Sequence, residues 1–96
     1  MTLDELRGEN REMILAIARK HGAYNVRVFG SVARGESGRE SDIDLLVDFE
    51  PKRTLLDHGK LIAELEDLLG CKVDVVPAED LKEYLRDQIL ASAMSL

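Results

Sequence analysis

Asp42 and Asp44 stand two residues apart in the segment Asp-Ile-Asp-Leu-Leu-Val-Asp-Phe, where apolar and acidic residues alternate. Alternation of period two marks a strand, so both carboxylates share one face while Ile43, Leu45, Val47 and Phe49 share the other. Like charges a few ångströms apart raise each other's pKa and cost stability unless a cation lies between them. Asp74 is a third carboxylate, set within the apolar run Val73, Val75 and Val76 on the face it shares with Lys72 and Val76. There an isolated ion is expensive to bury and calls for a partner. With the two strands adjacent, Asp42, Asp44 and Asp74 join in one all-oxygen site, a donor set that suits Mg²⁺ or Mn²⁺ and not zinc. Gly30 and Ser31 supply an anion-binding half. A strand end leading into a short helix exposes backbone N–H groups, Gly lets the chain approach a ligand closely, and the Ser hydroxyl donates a hydrogen bond. Arg34, on the same short helix, is in reach of a phosphate, although a solvated or Asp-paired arginine has the same pattern. Alone, Asp-x-Asp reads as a polar strand face and Gly-Ser as a helix cap; in this order, with Asp74 on the next strand, they point to a metal and phosphate site.

The elements that must position these residues follow from periodicity. Thr2 and Glu5 form a capping box, and Leu3, Leu6, Met13, Ile14, Ile17 and Ala18 give one long helix that ends near Gly22. Tyr24 to Phe29 is a strand, and Ser31 is the expected N-cap of a single turn over Val32 to Arg34, before the polar loop from Gly35 to Ser41. The Asp42 strand follows. Leu55, Leu61, Ile62, Leu65, Leu68 and Leu69 then make the stripe of a helix that Gly70 ends. Cys71 to Val76 is a third strand, and a last helix runs from about Asp80 to Met94 with Leu81, Tyr84, Leu85, Ile89 and Ala93 inward. The order αβαβαβα predicts an α/β (α+β) fold with a small mixed sheet of about three strands flanked by helices. The helical crossover makes the second and third strands parallel neighbours, and the short turn makes the first antiparallel to the second, bringing Gly30 and Ser31 beside Asp42 and Asp44.

Composition sets the outer bounds. Ninety-six residues suit one domain over 1–96, and 45% hydrophobic with 33% charged residues is the profile of a folded chain. A formal charge of -6 repels a phosphate backbone and argues against nucleic acid as a partner. Cys71, His21 and His58 are too few for a structural zinc site, and a lone cysteine fits a reducing cytoplasm. Cys71 is expected buried and inert, His21 a partner of its helix's C-terminal dipole, and His58 solvated. No apolar run approaches the roughly 18 residues of a membrane span, and the acidic start lacks the features of a signal peptide.

The chain resembles the minimal nucleotidyltransferases of the polymerase beta superfamily over nearly its whole length. Gly30-Ser31-Val-Ala-Arg34-Gly35-Glu36, Ser41-Asp42-Ile-Asp44-Leu and Val73-Asp74-Val-Val carry the likeness. The resemblance implies transfer of a nucleoside monophosphate, AMP from ATP, to a hydroxyl, with pyrophosphate released. It implies that Gly30 and Ser31 bind the triphosphate, that Asp42 and Asp44 hold two Mg²⁺, and that Asp74 holds the catalytic ion and helps activate the acceptor. Larger relatives carry extra domains that hold an acceptor, so here a partner is expected to bring it. Such proteins are commonly paired, as antitoxins, with small helical HEPN-type toxins, some of which receive AMP on a tyrosine. Two alternatives stand beside this reading: a non-catalytic module that neutralises a partner by contact, and transfer to a small molecule such as an aminoglycoside. Leu90 and Met94, opposite the expected inward face of the last helix, are candidate docking residues for the partner or for a second copy of the chain.

Overall fold

The computed structural model describes residues 2–35 and 42–96. Of the expected loop from Gly35 to Ser41, residues 36–41, Arg39 included, lie outside the described residues. Helices α1 (Leu3–Arg7) and α2 (Arg11–Lys20) precede strand β1 (Ala23–Phe29), the short helix α3 (Gly30–Ala33) and strand β2 (Ile43–Phe49). Helix α4 (Leu55–Leu69), strand β3 (Val73–Pro77), a 3₁₀ turn (Ala78–Asp80), helix α5 (Glu83–Ser92) and strand β4 (Met94–Ser95) complete the order. The sheet runs β3-β2-β1-β4, with β2 and β3 parallel and the other pairs antiparallel. This is the mixed sheet that the crossover and the tight turn require, extended by one short strand.

The alternation in β2 is realised. Ile43, Leu45 and Val47 are buried in the main core with Val28 of β1, Val73 and Val75 of β3, Ile14 of α2 and Leu61 and Leu65 of α4. Asp44 and Asp48 are half-buried on the opposite face, and Asp42 is exposed. Helix α4 is firmly bounded. The Thr54 hydroxyl accepts from Leu56 N–H at 3.2 Å, Asp57 returns a bond to Thr54 N–H at 3.0 Å, and Gly70 takes φ 68° at the C-cap.

Three expectations are corrected. The single N-terminal helix is two: Gly8 and Asn10 are poor helix formers, and the chain turns there before α2 begins. Ser31 is not an N-cap, because Phe29 occupies that position and Ser31 lies within α3. The last helix is shorter than predicted, and Met94 belongs to β4. Backbone N–H of Leu96 bonds Val26 O at 3.1 Å, Arg7 Nη2 bonds Ser95 O at 2.9 Å and Arg11 Nε bonds Leu96 O at 2.9 Å. These bonds draw residues 94–96 onto the edge of β1, which a continued helix would prevent. No residue of α5 is buried: Tyr84 and Leu85, expected inward, are exposed. Among the described residues no helix is long and apolar enough to cross a membrane.

Candidate active site

Strand register builds the site. Phe29, the last residue of β1, is the Cα partner of Asp44, and on the other side Asp44 is the partner of Asp74. The turn from β1 into α3 therefore begins against the first residues of β2, as expected. Gly30 has φ 73°, and a Cβ placed there would collide with Asp44 Oδ2 and lie 3.3 Å from its Cγ. Both the left-handed backbone and the packing of Asp44 against the turn require glycine at this position. Ser31 follows it, half-buried, with no side-chain capping bond in α3.

The carboxylates act on one another. Burial first, then the charges of Asp74 and Asp42, raise the Asp44 carboxyl above its ordinary 3.8, against the opposing pull of Arg34. Arg34 thus stands within electrostatic reach of the carboxylates, exposed at the end of α3. Asp48, on the same face of β2, is engaged locally: Asn25 Nδ2 donates to it at 2.9 Å and Arg27 Nη2 lies 3.6 Å away. The residues left for a ligand are Asp42, Asp44 and Asp74.

Asp74 corrects one argument. It is exposed, not buried, because β3 is the terminal strand and only its Val73 and Val75 side chains enter the core. Its importance comes from register and charge, not from the cost of burial. Among the described residues no three His, Cys, Asp or Glu side chains stand close enough, as placed, to hold a metal ion. The donor chemistry nonetheless fits a hard divalent cation: Asp44 and Asp74 are in register on adjacent strands, Asp42 precedes them, and each raises the Asp44 carboxyl. A cation among them would relieve that repulsion.

The other candidates do different work. His21 is buried at the end of α2 with Nε2 3.2 Å from Glu64. Cys71 is half-buried, and burial pushes its thiol up, so it stays protonated. His58, expected solvated, is partly buried with Nε2 2.6 Å from Val75 O. A depression of about 470 Å³ lined by Phe49, Lys52, Arg53, Thr54 and His58 lies at the C-terminal end of β2, away from Asp42 and Asp44.

Comparison with known proteins identifies the fold and its family. The model of the family described as nucleotidyltransferase domain matches residues 10–95. The protein MJ0435 of Methanocaldococcus jannaschii, provisionally named a protein adenylyltransferase, is 41% identical over 88 residues, which span 92% of this chain and 95% of that one. A solved structure provisionally described as a minimal nucleotidyltransferase shares 53% identity with a TM-score of 0.88, covering 100% of this chain and 97% of its own. The crystal structure of a toxin–antitoxin with AMP-PNP shares the fold at 24% identity and TM-score 0.77, over 90% of this chain and 71% of that one. The chain belongs to the nucleotidyltransferase domain family.

Proposed function

We propose that this chain transfers AMP from ATP to a hydroxyl of a partner protein, using Asp42, Asp44 and Asp74 to hold two Mg²⁺ ions and Gly30 and Ser31 to seat the triphosphate. The observation that carries it is the Asp44–Asp74 register pair set directly against the Gly30 turn. The choice of AMP and of a protein acceptor is supported by the name of the Methanocaldococcus relative. Divalent ions held by Asp42, Asp44 and Asp74 would lower the pKa of an acceptor hydroxyl and neutralise a departing pyrophosphate. The chain's own residues do the rest. Ser31 Oγ, free of a capping bond, donates to a phosphate oxygen, and Arg34 adds positive charge on the same side. Asp74, on the exposed terminal strand, meets the acceptor. The acceptor oxygen bonds to the α-phosphorus, the α,β-bridging P–O bond breaks, pyrophosphate leaves, and the hydroxyl proton departs on the Asp74 side. Mn²⁺ would substitute for Mg²⁺.

Ser31→Ala tests the phosphate seat. It removes one hydrogen bond to a charged group, so ATP affinity should fall by about 1.5 to 3 kcal/mol. Because Ser31 is not a helix cap, the unliganded protein should melt at the wild-type temperature. Calorimetry with Mg²⁺ and AMP-PNP decides it: unchanged affinity would remove Ser31 from the site.

The acceptor is a protein, and a HEPN-type toxin neutralised by this chain fits the resemblance and the toxin–antitoxin neighbour. We assign its contact surface to α5 and β4, a reading supported by the exposure of Leu90 and Met94, each 38%. Changing both to Ser should leave folding and ATP binding intact and weaken the complex by about 1 kcal/mol or more per side chain at an interface centre. Undiminished affinity in a pull-down with the product of the adjacent gene would move the interface elsewhere.

A further inference from the structure

The outer edge of β3 is held by two side chains of α4 that have no part in the core. Among the described residues β3 is a terminal strand, paired only with β2. Ile43 N–H bonds Lys72 O at 3.0 Å, so the backbone groups of alternate residues, Asp74 among them, turn toward β2. Those of Val73 and Val75 turn outward. Glu66 Oε2 accepts the Val73 N–H at 3.1 Å, and His58 Nε2 donates to Val75 O at 2.6 Å. A carbonyl only accepts, so His58 carries its proton on Nε2. Its ring is steadied by Phe49, 5.6 Å away between centroids. The two residues clamped in this way are the neighbours of Asp74 on either side.

We infer that Glu66 and His58 are positioning residues that fix Asp74 opposite Asp44, and so set the part of the metal site that Asp74 completes. The inference rests on the reading of Asp42, Asp44 and Asp74 as the metal ligands. Asp74 needs such support more than Asp44 does. Asp44 lies on a strand paired on both sides, whereas Asp74 is on a strand with one neighbour and its own side chain is exposed. Helix α4 is a rigid support, capped at both ends and anchored in the core by Leu61, Leu65 and Leu69. A purely protective role, in which the side chains blunt an exposed sheet edge against pairing with other chains, uses the same bonds and predicts a different result.

The test titrates Mn²⁺ into the full-length protein with AMP-PNP, following free and bound ion by electron paramagnetic resonance. Wild type should bind two ions, and Asp74→Asn should lose one. His58→Phe and Glu66→Leu should weaken that same ion about tenfold or more and leave the other unchanged, as loss of an outer support does at metal sites. His58→Gln and Glu66→Gln keep a donor and an acceptor of similar reach and should bind both ions like wild type. If His58→Phe does not fold, His58→Asn against His58→Gln makes the same comparison, differing only in reach. Equal weakening of both ions, or wild-type affinity for both in His58→Phe and Glu66→Leu, would leave edge protection as the only role. Two ions retained by Asp74→Asn would instead overturn the ligand assignment on which the inference depends.

Discussion

Asp44→Asn is expected to abolish nucleotidyl transfer, lowering the rate about a thousandfold or more, while the unliganded protein stays as stable as wild type or slightly more so. Under the proposed function the loss of rate follows from the position of Asp44 between Asp42, Asp74 and the Gly30 turn, where a neutral amide would not replace a carboxylate that holds a metal. The stability effect has a defined sign. The folded chain holds the Asp44 carboxyl above its ordinary 3.8, through burial and the charges of Asp74 and Asp42. Below that value the group is protonated in both folded and unfolded chains and resembles the amide. As pH rises through the folded pKa, the wild type must ionise a group that its surroundings keep protonated, and it loses stability relative to the variant. Thermal melts in chelator should therefore show a small advantage for Asn at neutral pH that shrinks in acid. With Mg²⁺ and ATP the order should reverse, because only the wild type gains from the ligands. An equal ligand-induced rise in both proteins would remove Asp44 from the site.

Gly30→Ala should be nearly as damaging, for a steric reason. At φ 73° a non-glycine residue costs about 1 to 3 kcal/mol of backbone strain, and here the new Cβ also collides with the Asp44 carboxylate. The carboxylate must move away from the turn proposed to seat the phosphates. Gly70→Ala separates the two effects. Gly70 has nearly the same backbone, φ 68°, at the end of α4, but nothing within 4 Å of an added Cβ. Both variants should lose stability from the shared backbone strain, Gly30→Ala the more of the two, read by denaturant midpoint. Only Gly30→Ala should also lose AMP transfer, by about a hundredfold or more at a temperature where it remains folded. Equal activity in the two variants would show that the approach of Gly30 to Asp44 is a packing feature alone.

The parts of the fold that depend on periodicity are legible in the sequence. Alternation in β2 decided which face carries Asp42 and Asp44, and the length of each connection decided which strands run parallel. Together these placed Gly30 beside Asp44 and Asp44 beside Asp74. The fate of Asp74 itself was not legible, since apolar neighbours in sequence do not reveal that one face of a terminal strand stays open. The division of the first helix was hidden because Leu3 and Leu6 keep helical phase with Met13, Ile14, Ile17 and Ala18 across the polar stretch from Arg7 to Glu12. The end of the last helix was set by long-range bonds from Arg7 and Arg11 to residues 95 and 96, which leave no local pattern. His58 and Glu66 escaped for a related reason: on a helical stripe they are polar positions like any other, and their backbone partners belong to a strand formed later in the chain.

The most direct test of the account is the fate of the phosphate groups of ATP. The protein is incubated with Mg²⁺ and its candidate partner, once with ATP labelled at the α-phosphate and once with ATP labelled at the γ-phosphate. The account predicts covalent label on the partner from α-labelled ATP alone, release of the γ-label as pyrophosphate, and no transfer in Asp44→Asn or when Mg²⁺ is chelated. Label carried over from the γ-phosphate, or undiminished α-label with Asp44→Asn, would contradict it.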